Sequence, residues 1–252
     1  MPGLTVVVGA ARGIGEGIAR HLATMAWTDR IVLADRDLDL ADAVAADLRS
    51  DGHHAEAIAV DIADGTSIDR LVGLTADADR LALVAGIFRA TPSLDVEPDE
   101  FRDILAVNLT GTFFTAQAYA RHMVARGGGS IVAITSIAAR MPRLRQAAYC
   151  ASKAGMRQAM RVLALETVPA GVRINFVSPG PTDSAMMREL AADHPVDDLA
   201  AGSLTAFRPP VPDGRVGRAG DVAAAVAFLL SPEAAHIAMH DLYVDGGESL
   251  GL

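Results

Sequence analysis

Three features of the sequence predict an α/β fold, a single doubly wound parallel sheet of about seven strands with helices on both faces. Short apolar runs without polar alternation, as in strands buried on both faces, recur between longer segments of helical periodicity. The first run leads at once into a glycine turn, Gly9-Ala-Ala-Arg12-Gly13-Ile14-Gly15, and then into a helix. Several runs end in glycine or polar residues, at the strand ends where open parallel sheets gather ligands. No repeat, linker or low-complexity segment divides the 252 residues, so one domain is expected over 1–252.

In chain order, Leu4–Val8 is the first strand. The glycines after it let the backbone approach a pyrophosphate, and the helix that follows, predicted to reach Ala26, turns its free N–H groups and positive dipole end to the phosphate charge. A dinucleotide site is therefore expected on Gly9, Arg12, Gly13, Ile14 and Gly15. Ile31–Asp35 is the second strand, and Asp35 falls about 20 residues past the glycines, where a carboxylate holds the adenosine ribose hydroxyls. Such a carboxylate repels a 2′-phosphate, so NAD is expected over NADP. Arg12 and Arg36 argue the other way, because a guanidinium pairs with phosphate, but Asp35 with Asp37 beside it outweighs them.

A helix is expected over Asp37–Arg49, a strand over His54–Val60 closing at Asp61-Ile62, a helix over Thr66–Leu74, and a strand over Leu81–Val84 ending at Ala85-Gly86. Pro98–Ala125 is long enough for one extended helix. Asn108 in its middle is a poor helix-interior residue, which points either to a local distortion with a task or to an Asn that is merely tolerated. After the Gly127–Gly129 turn, Ser130–Thr135 is a fifth strand that delivers Ser136 at its end. Ala147–Val168 is a helix, Val172–Val177 a strand ending in Ser178-Pro179-Gly180, and Asp183–Ala206 a polar helical excursion within an expected lid around 183–215. A helix over Asp221–Leu230 and a strand over Asp241–Val244 complete the chain, and Gly13, Asp35, Gly86 and Ser136 should face one crevice.

Of the 22 Lys and Arg residues, 21 are arginine, and the one lysine is Lys153. Arg stays charged under all accessible conditions, whereas the protonation of Lys is tuned by its surroundings. Tyr149, four residues earlier on the same helix, lies on the same face as Lys153. The pair reads as a proton-handling site, the alternative being a solvated lysine with a tyrosine nearby by chance.

The formal net charge of −9 argues against a general nucleic-acid or membrane binder, since both need an electropositive face. The single Cys150 cannot form an internal disulfide, and no Cys/His set has the spacing of a metal site. Neither a basic, apolar leader nor a membrane-spanning stretch is visible, so a reducing, cytoplasmic setting is expected.

The glycine turn, Asp61, Asn108, Ser136, Tyr149, Lys153 and the Pro179-Gly180 turn together resemble the classical short-chain dehydrogenases/reductases, over essentially the whole chain. The resemblance implies a single NAD(P)-binding Rossmann domain, usually a homotetramer. It implies Tyr149 as catalytic acid/base, Ser136 orienting the reacting oxygen, Lys153 holding the ribose and lowering the Tyr149 pKa, and Asn108 supporting a proton relay. It also implies cofactor contacts from Asp61, Ile62, Ala85, Gly86, Pro179, Gly180, Thr182 and Ser184.

Within the family, Gly86-Ile-Phe-Arg89, Pro142-Arg143, Ser178–Asp183 with Met186, and the Asp241–Gly251 run most resemble the 2,3-dihydro-2,3-dihydroxybenzoate dehydrogenases. That implies NAD-dependent oxidation of a cyclohexadiene diol carboxylate to a catechol in siderophore or secondary-metabolite biosynthesis. Other readings are an enzyme of 2,3-dihydro-3-hydroxyanthranilate or another cyclic alcohol or ketone, and a dinucleotide-binding regulator without chemistry.

Arg140, Arg143 and Arg145 crowd the loop before Tyr149, and Arg89 follows the fourth strand, as expected of a mouth that draws in an anion. Arg89 and Arg143 are the expected carboxylate ligands, with Gln146, Met186 and Arg188 as further substrate residues; some of these arginines could instead make subunit salt bridges. Two positions depart from the family pattern. Val8 stands where Thr is usual and Leu83 where Asn is usual. If the two side chains meet, a hydrogen-bonded support has become a hydrophobic one, a paired change that can be nearly neutral.

Overall fold

The computed structural model describes residues 3–185, 187–188 and 196–251. Seven strands form one sheet: β1 (Gly3–Val8), β2 (Thr28–Asp35), β3 (His54–Ala59), β4 (Ala78–Leu83), β5 (Gly129–Ile134), β6 (Val172–Pro179) and β7 (Asp241–Val244). Their order is β3-β2-β1-β4-β5-β6-β7, and every neighbouring pair is parallel. The chain builds outward from β1 to β3 and then crosses back to place β4 on the other side of β1. The strand order therefore reverses between β1 and β4, which opens a crevice above their C-terminal ends.

The unbroken apolar strands are explained by burial on both faces. Along β1, Val6 and Val8 pack against α3 (Gly65–Leu74), α5 (Thr112–Arg126) and α6 (Ala147–Thr167). Val7 points the other way, into the core formed with α1 (Gly13–Ala23), α2 (Leu38–Ser50) and α7 (Ala219–Leu230). Both cores take alternate residues from the same strands, as the period of two requires.

Val8 and Leu83 are direct register partners in the β1–β4 pair, and both are buried in the same core. The two apolar replacements thus do meet. The backbone beside them is satisfied, because the Val8 carbonyl accepts from the amides of Val84 and Ala85.

Several expected boundaries shift, with β2 starting at Thr28 rather than Ile31 and β4 at Ala78 rather than Leu81. Helix α1 ends at Ala23 rather than Ala26, since the Thr24 hydroxyl donates to the His21 carbonyl and a turn then starts β2 at Thr28. The helix expected over Pro98–Ala125 is interrupted: α4 (Pro98–Leu105) passes into a π-helical segment, Ala106–Gly111, before α5. Asn108 lies inside that segment. Of the expected lid, residues 185 and 187–188 are helical, and a 3-10 stretch, Val196–Ala201, precedes an irregular segment to residue 215. Met186 lies outside the described residues. Among the described residues, no helix is long and apolar enough to cross a membrane.

Candidate active site

A cleft of ≈ 1010 Å³ runs above the C-terminal strand ends. It is walled at one end by the glycine turn with Asp35, Arg36 and Asp61, and at the other by Arg89, Arg143, Gln146 and Tyr149. The polarity changes along its length. Asp35, Asp37, Asp39 and Asp61 outnumber Arg12 and Arg36 at the first end, whereas Arg89, Arg143 and Arg208 outnumber Glu248 at the second.

The glycine turn is built for close approach. Gly9 has φ +89°, and a Cβ there would lie 2.4 Å from the Ala85 amide nitrogen. At Gly15 a Cβ would come within 1.8 Å of the Gly9 carbonyl oxygen, so only glycine lets α1 start this close to β1. The residue capping α1, Arg12, has an extended backbone and makes no side-chain cap, which leaves first-turn N–H groups for a ligand. Such a helix start suits phosphate. Asp35 accepts from the Ala11 amide at 2.9 Å through one oxygen and from the Asp37 amide at 3.0 Å through the other, tying the end of β2 to the glycine turn. Each oxygen keeps a further lone pair toward the cleft. These residues fit a dinucleotide.

The remaining cofactor candidates, Ile14, Gly13, Ile62, Ala85, Gly86, Pro179, Gly180, Thr182 and Ser184, also line the cleft. Ser184 begins the lid segment against the glycine turn, 3.5 Å from where a Gly13 Cβ would stand. A Cβ on Gly86 would lie 3.2 Å from Asn108 Oδ1 and 3.5 Å from Lys153 Nζ, so glycine there leaves these two polar groups room over the cleft floor.

Ser136 caps a 3-10 turn, Ile137–Ala139, in extended conformation. Its oxygen accepts from the Ala138 amide at 3.1 Å, and its O–H stays available as a donor. Lys153 is 4% exposed and donates to the Ile134 carbonyl at 2.8 Å, with two ammonium protons left over. Its nitrogen lies 5.8 Å from the centre of the Tyr149 ring, so the spacing of four does bring the pair together. Phe88 packs edge-on against that ring, with centroids 5.1 Å apart.

Burial pushes the Tyr149 phenol up to about 12, and the Ser136 hydroxyl offsets part of the rise. Burial also pulls Lys153 down to about 8. The expected lowering of the phenol by lysine is therefore not visible in the protein alone, where desolvation by burial dominates both groups.

Asn108 is fully buried, and its amide is already committed. It accepts from the Ile87 amide and donates to the Ile87 carbonyl, both at 2.8 Å, and donates to Ser152 Oγ at 3.1 Å. Its side chain braces the segment that carries Phe88 instead of bonding to Tyr149 or Lys153.

Among the expected substrate residues, Arg89, Arg143 and Gln146 line the cleft. Arg188 does not. It is 67% exposed and forks onto Asp183 at 2.8 and 3.0 Å. Arg143 is held by Glu248 at 2.6 Å. Sequence reasoning missed Glu248, Arg208 and Phe88, which lie far from Tyr149 along the chain and carry no spacing signature. Arg145 donates to the Ala90 carbonyl at 3.0 Å.

A solved short-chain dehydrogenase/reductase family protein matches this structure with a TM-score of 0.86 at 35% identity, covering 96% of this chain and 95% of that one. The family model adh_short_C2, described as enoyl-(acyl carrier protein) reductase, matches residues 9–249. The chain belongs to the short-chain dehydrogenase/reductase family. It is similar to the 2,3-dihydro-2,3-dihydroxybenzoate dehydrogenase of Bacillus subtilis, at 36% identity over 99% of this chain and 97% of that protein. It is also similar to a solved structure from Agrobacterium tumefaciens with bound NADP, proposed to be a 2-deoxy-D-gluconate 3-dehydrogenase. That match has a TM-score of 0.87 and 31% identity, over 98% of this chain and 96% of that one. As a family member with this cleft, the protein is an oxidoreductase that uses a nicotinamide dinucleotide.

Proposed function

We propose that the protein uses NAD to oxidise one hydroxyl of a cyclohexadiene diol carboxylate of the 2,3-dihydro-2,3-dihydroxybenzoate type, giving a catechol. The observation that carries this reading is the arginine-rich end of the cleft, where Arg89 and Arg143 flank Tyr149 and Ser136 on an otherwise acidic protein. The similarity to the Bacillus subtilis enzyme supports it.

In this reading the glycine turn and the start of α1 hold the pyrophosphate, Asp35 takes the adenosine ribose hydroxyls, and Lys153 uses its two remaining protons on the second ribose. A nicotinamide held there would supply the hydride acceptor for the carbon that bears the reacting hydroxyl. Ser136 donates to that hydroxyl oxygen and fixes it beside Tyr149. Tyr149 Oη, as phenolate, takes the hydroxyl proton. With the phenol at about 12 in the protein alone, ionisation needs more positive charge beside it than Lys153 provides. The dienone product then moves a ring proton to oxygen and becomes aromatic, which drives the oxidation forward.

The test is a substrate screen followed through the absorbance of reduced NAD. The dihydrodiol carboxylate should turn over, and 2,3-dihydro-3-hydroxyanthranilate and simple cyclohexanols should react at least about tenfold less efficiently. Equal rates for all three would remove the carboxylate-diol reading. No turnover together with clear NAD binding would favour a regulator.

A further inference from the structure

Arg143 and Arg208 reach the cleft from segments 65 residues apart, yet both donate to the same atom, Oε1 of Glu248, at 2.6 and 3.2 Å. The Glu248 side chain is 0% exposed, Arg143 9% and Arg208 18%, and all three line the cleft. A buried carboxylate needs cationic partners to offset its lost solvation, and here it has two. The cluster therefore carries one net positive charge.

Neither guanidinium is used up. Arg143 gives Glu248 one terminal nitrogen, and Arg208 gives its Nε to Glu248 and a terminal nitrogen to the Leu199 carbonyl. Each keeps further N–H donors. The second Glu248 oxygen, Oε2, is buried with no partner among the described residues, an acceptor left open within the same cluster.

From this geometry we propose that Glu248 is a positioning residue that clamps Arg143 and Arg208 into one receptor of single positive charge, so that the cleft prefers a ring with one carboxylate over neutral or doubly charged rings. The inference rests on the proposed function only in placing the substrate at this end of the cleft. Arg89, exposed and without an ion pair among the described residues, lies outside the clamp, and because it is unchanged in every variant its charge does not enter the comparison between them.

The experiment measures calorimetric affinities of the NAD-loaded protein for three unreactive rings: benzoate, phthalate and catechol. The native protein should bind benzoate best. Glu248→Gln keeps the shape and removes one negative charge, so the phthalate-to-benzoate affinity ratio should rise roughly tenfold or more, with catechol unchanged. Arg208→Gln should weaken benzoate about tenfold, again without effect on catechol. The double variant restores a single positive charge and should recover much of the benzoate preference.

A purely structural role for Glu248 predicts that all three rings weaken by one common factor and that the double variant is worse than either single one. That result would overturn the proposal, as would native protein that binds benzoate no better than catechol. The outcome is separable from the reaction assignment. Failure to turn over the dihydrodiol with the ring preferences intact would leave the receptor standing and remove only the chemistry.

Discussion

At Lys153 burial opposes the role proposed for it. Its value of about 8 in the folded protein lies below its ordinary 10.5, so the sign of the pH effect follows directly. Below about pH 8 folded and unfolded chains both carry the charge, and the cost of burying it is fully present. Between about 8 and 10.5 the folded protein sheds the proton while the unfolded chain keeps it, so stability rises with pH and the cost fades. Lys153→Met should therefore melt higher than the native protein at pH 7, by on the order of 1–3 kcal/mol after the lost bond to Ile134 is counted, and the gain should close near pH 10.5. Turnover should be abolished. Thermal melts at both pH values check this, and a native protein as stable as the variant at pH 7 would refute the buried-charge penalty. Tyr149→Phe gives the complementary case, with turnover lost by about 10²–10⁴-fold and NAD affinity retained. Asp35 holds two backbone amides and lines the cleft. Asp35→Ala should weaken NAD and shift the cofactor ratio toward NADP, because exposed Arg12 and Arg36 then meet a 2′-phosphate with one carboxylate fewer beside them. The ratio of kcat/KM for the two cofactors decides it, and an unchanged ratio would place the ribose contact elsewhere.

At the scale of elements, the π-helical segment between α4 and α5 shows how a poor helix residue is used. Asn108 spends its amide on both backbone groups of Ile87, and so fixes the segment that holds Phe88 against Tyr149. Asn108→Ala leaves the Ile87 amide and carbonyl without these partners, at roughly 2–3 kcal/mol, which for a chain this long is a fall in Tm of about 5–10 °C. Since Phe88 would loosen, kcat should fall more than the affinity for NAD, and a variant with native Tm would show the brace to be dispensable. The existence of this site was legible in the sequence, because a strand, a glycine turn and a lone lysine are local signals. The interruption itself was only half legible: an Asn in mid-helix announces trouble but does not say which backbone it will hold. Glu248 was legible only as part of the Asp241–Gly251 run, without a role of its own. Its meaning depends on Arg143 and Arg208 converging on it across the fold, and no periodicity encodes such a meeting. Arg188 failed in the opposite sense, since proximity in sequence to the cleft counted for less than Asp183 five residues away.

For the whole molecule, the reversal of strand order puts residues from Gly9 to Glu248 around one cleft, and it also sorts their charges. A protein of net charge −9 repels an anionic ring at long range, whereas Arg89, Arg143 and Arg208 attract it near the Tyr149 end of the cleft. The two effects act over different distances, so salt separates them. At about 0.01 M ionic strength the screening length is about 30 Å and the approaching anion feels the net charge of the whole protein. Near 0.1 M it shrinks to about 10 Å, which hides the distant acids before it hides the arginines at the cleft. At about 1 M it is about 3 Å and the local attraction is screened as well. With NAD saturating, kcat/KM for a carboxylate substrate should rise from the lowest salt, pass a maximum near 0.1 M and then fall, while a neutral cyclohexanol shows no maximum. A steady fall from the lowest salt would mean that the arginines dominate the field at every range. A steady rise would mean that they do not reach the approaching anion, and the carboxylate would then bind elsewhere in the cleft.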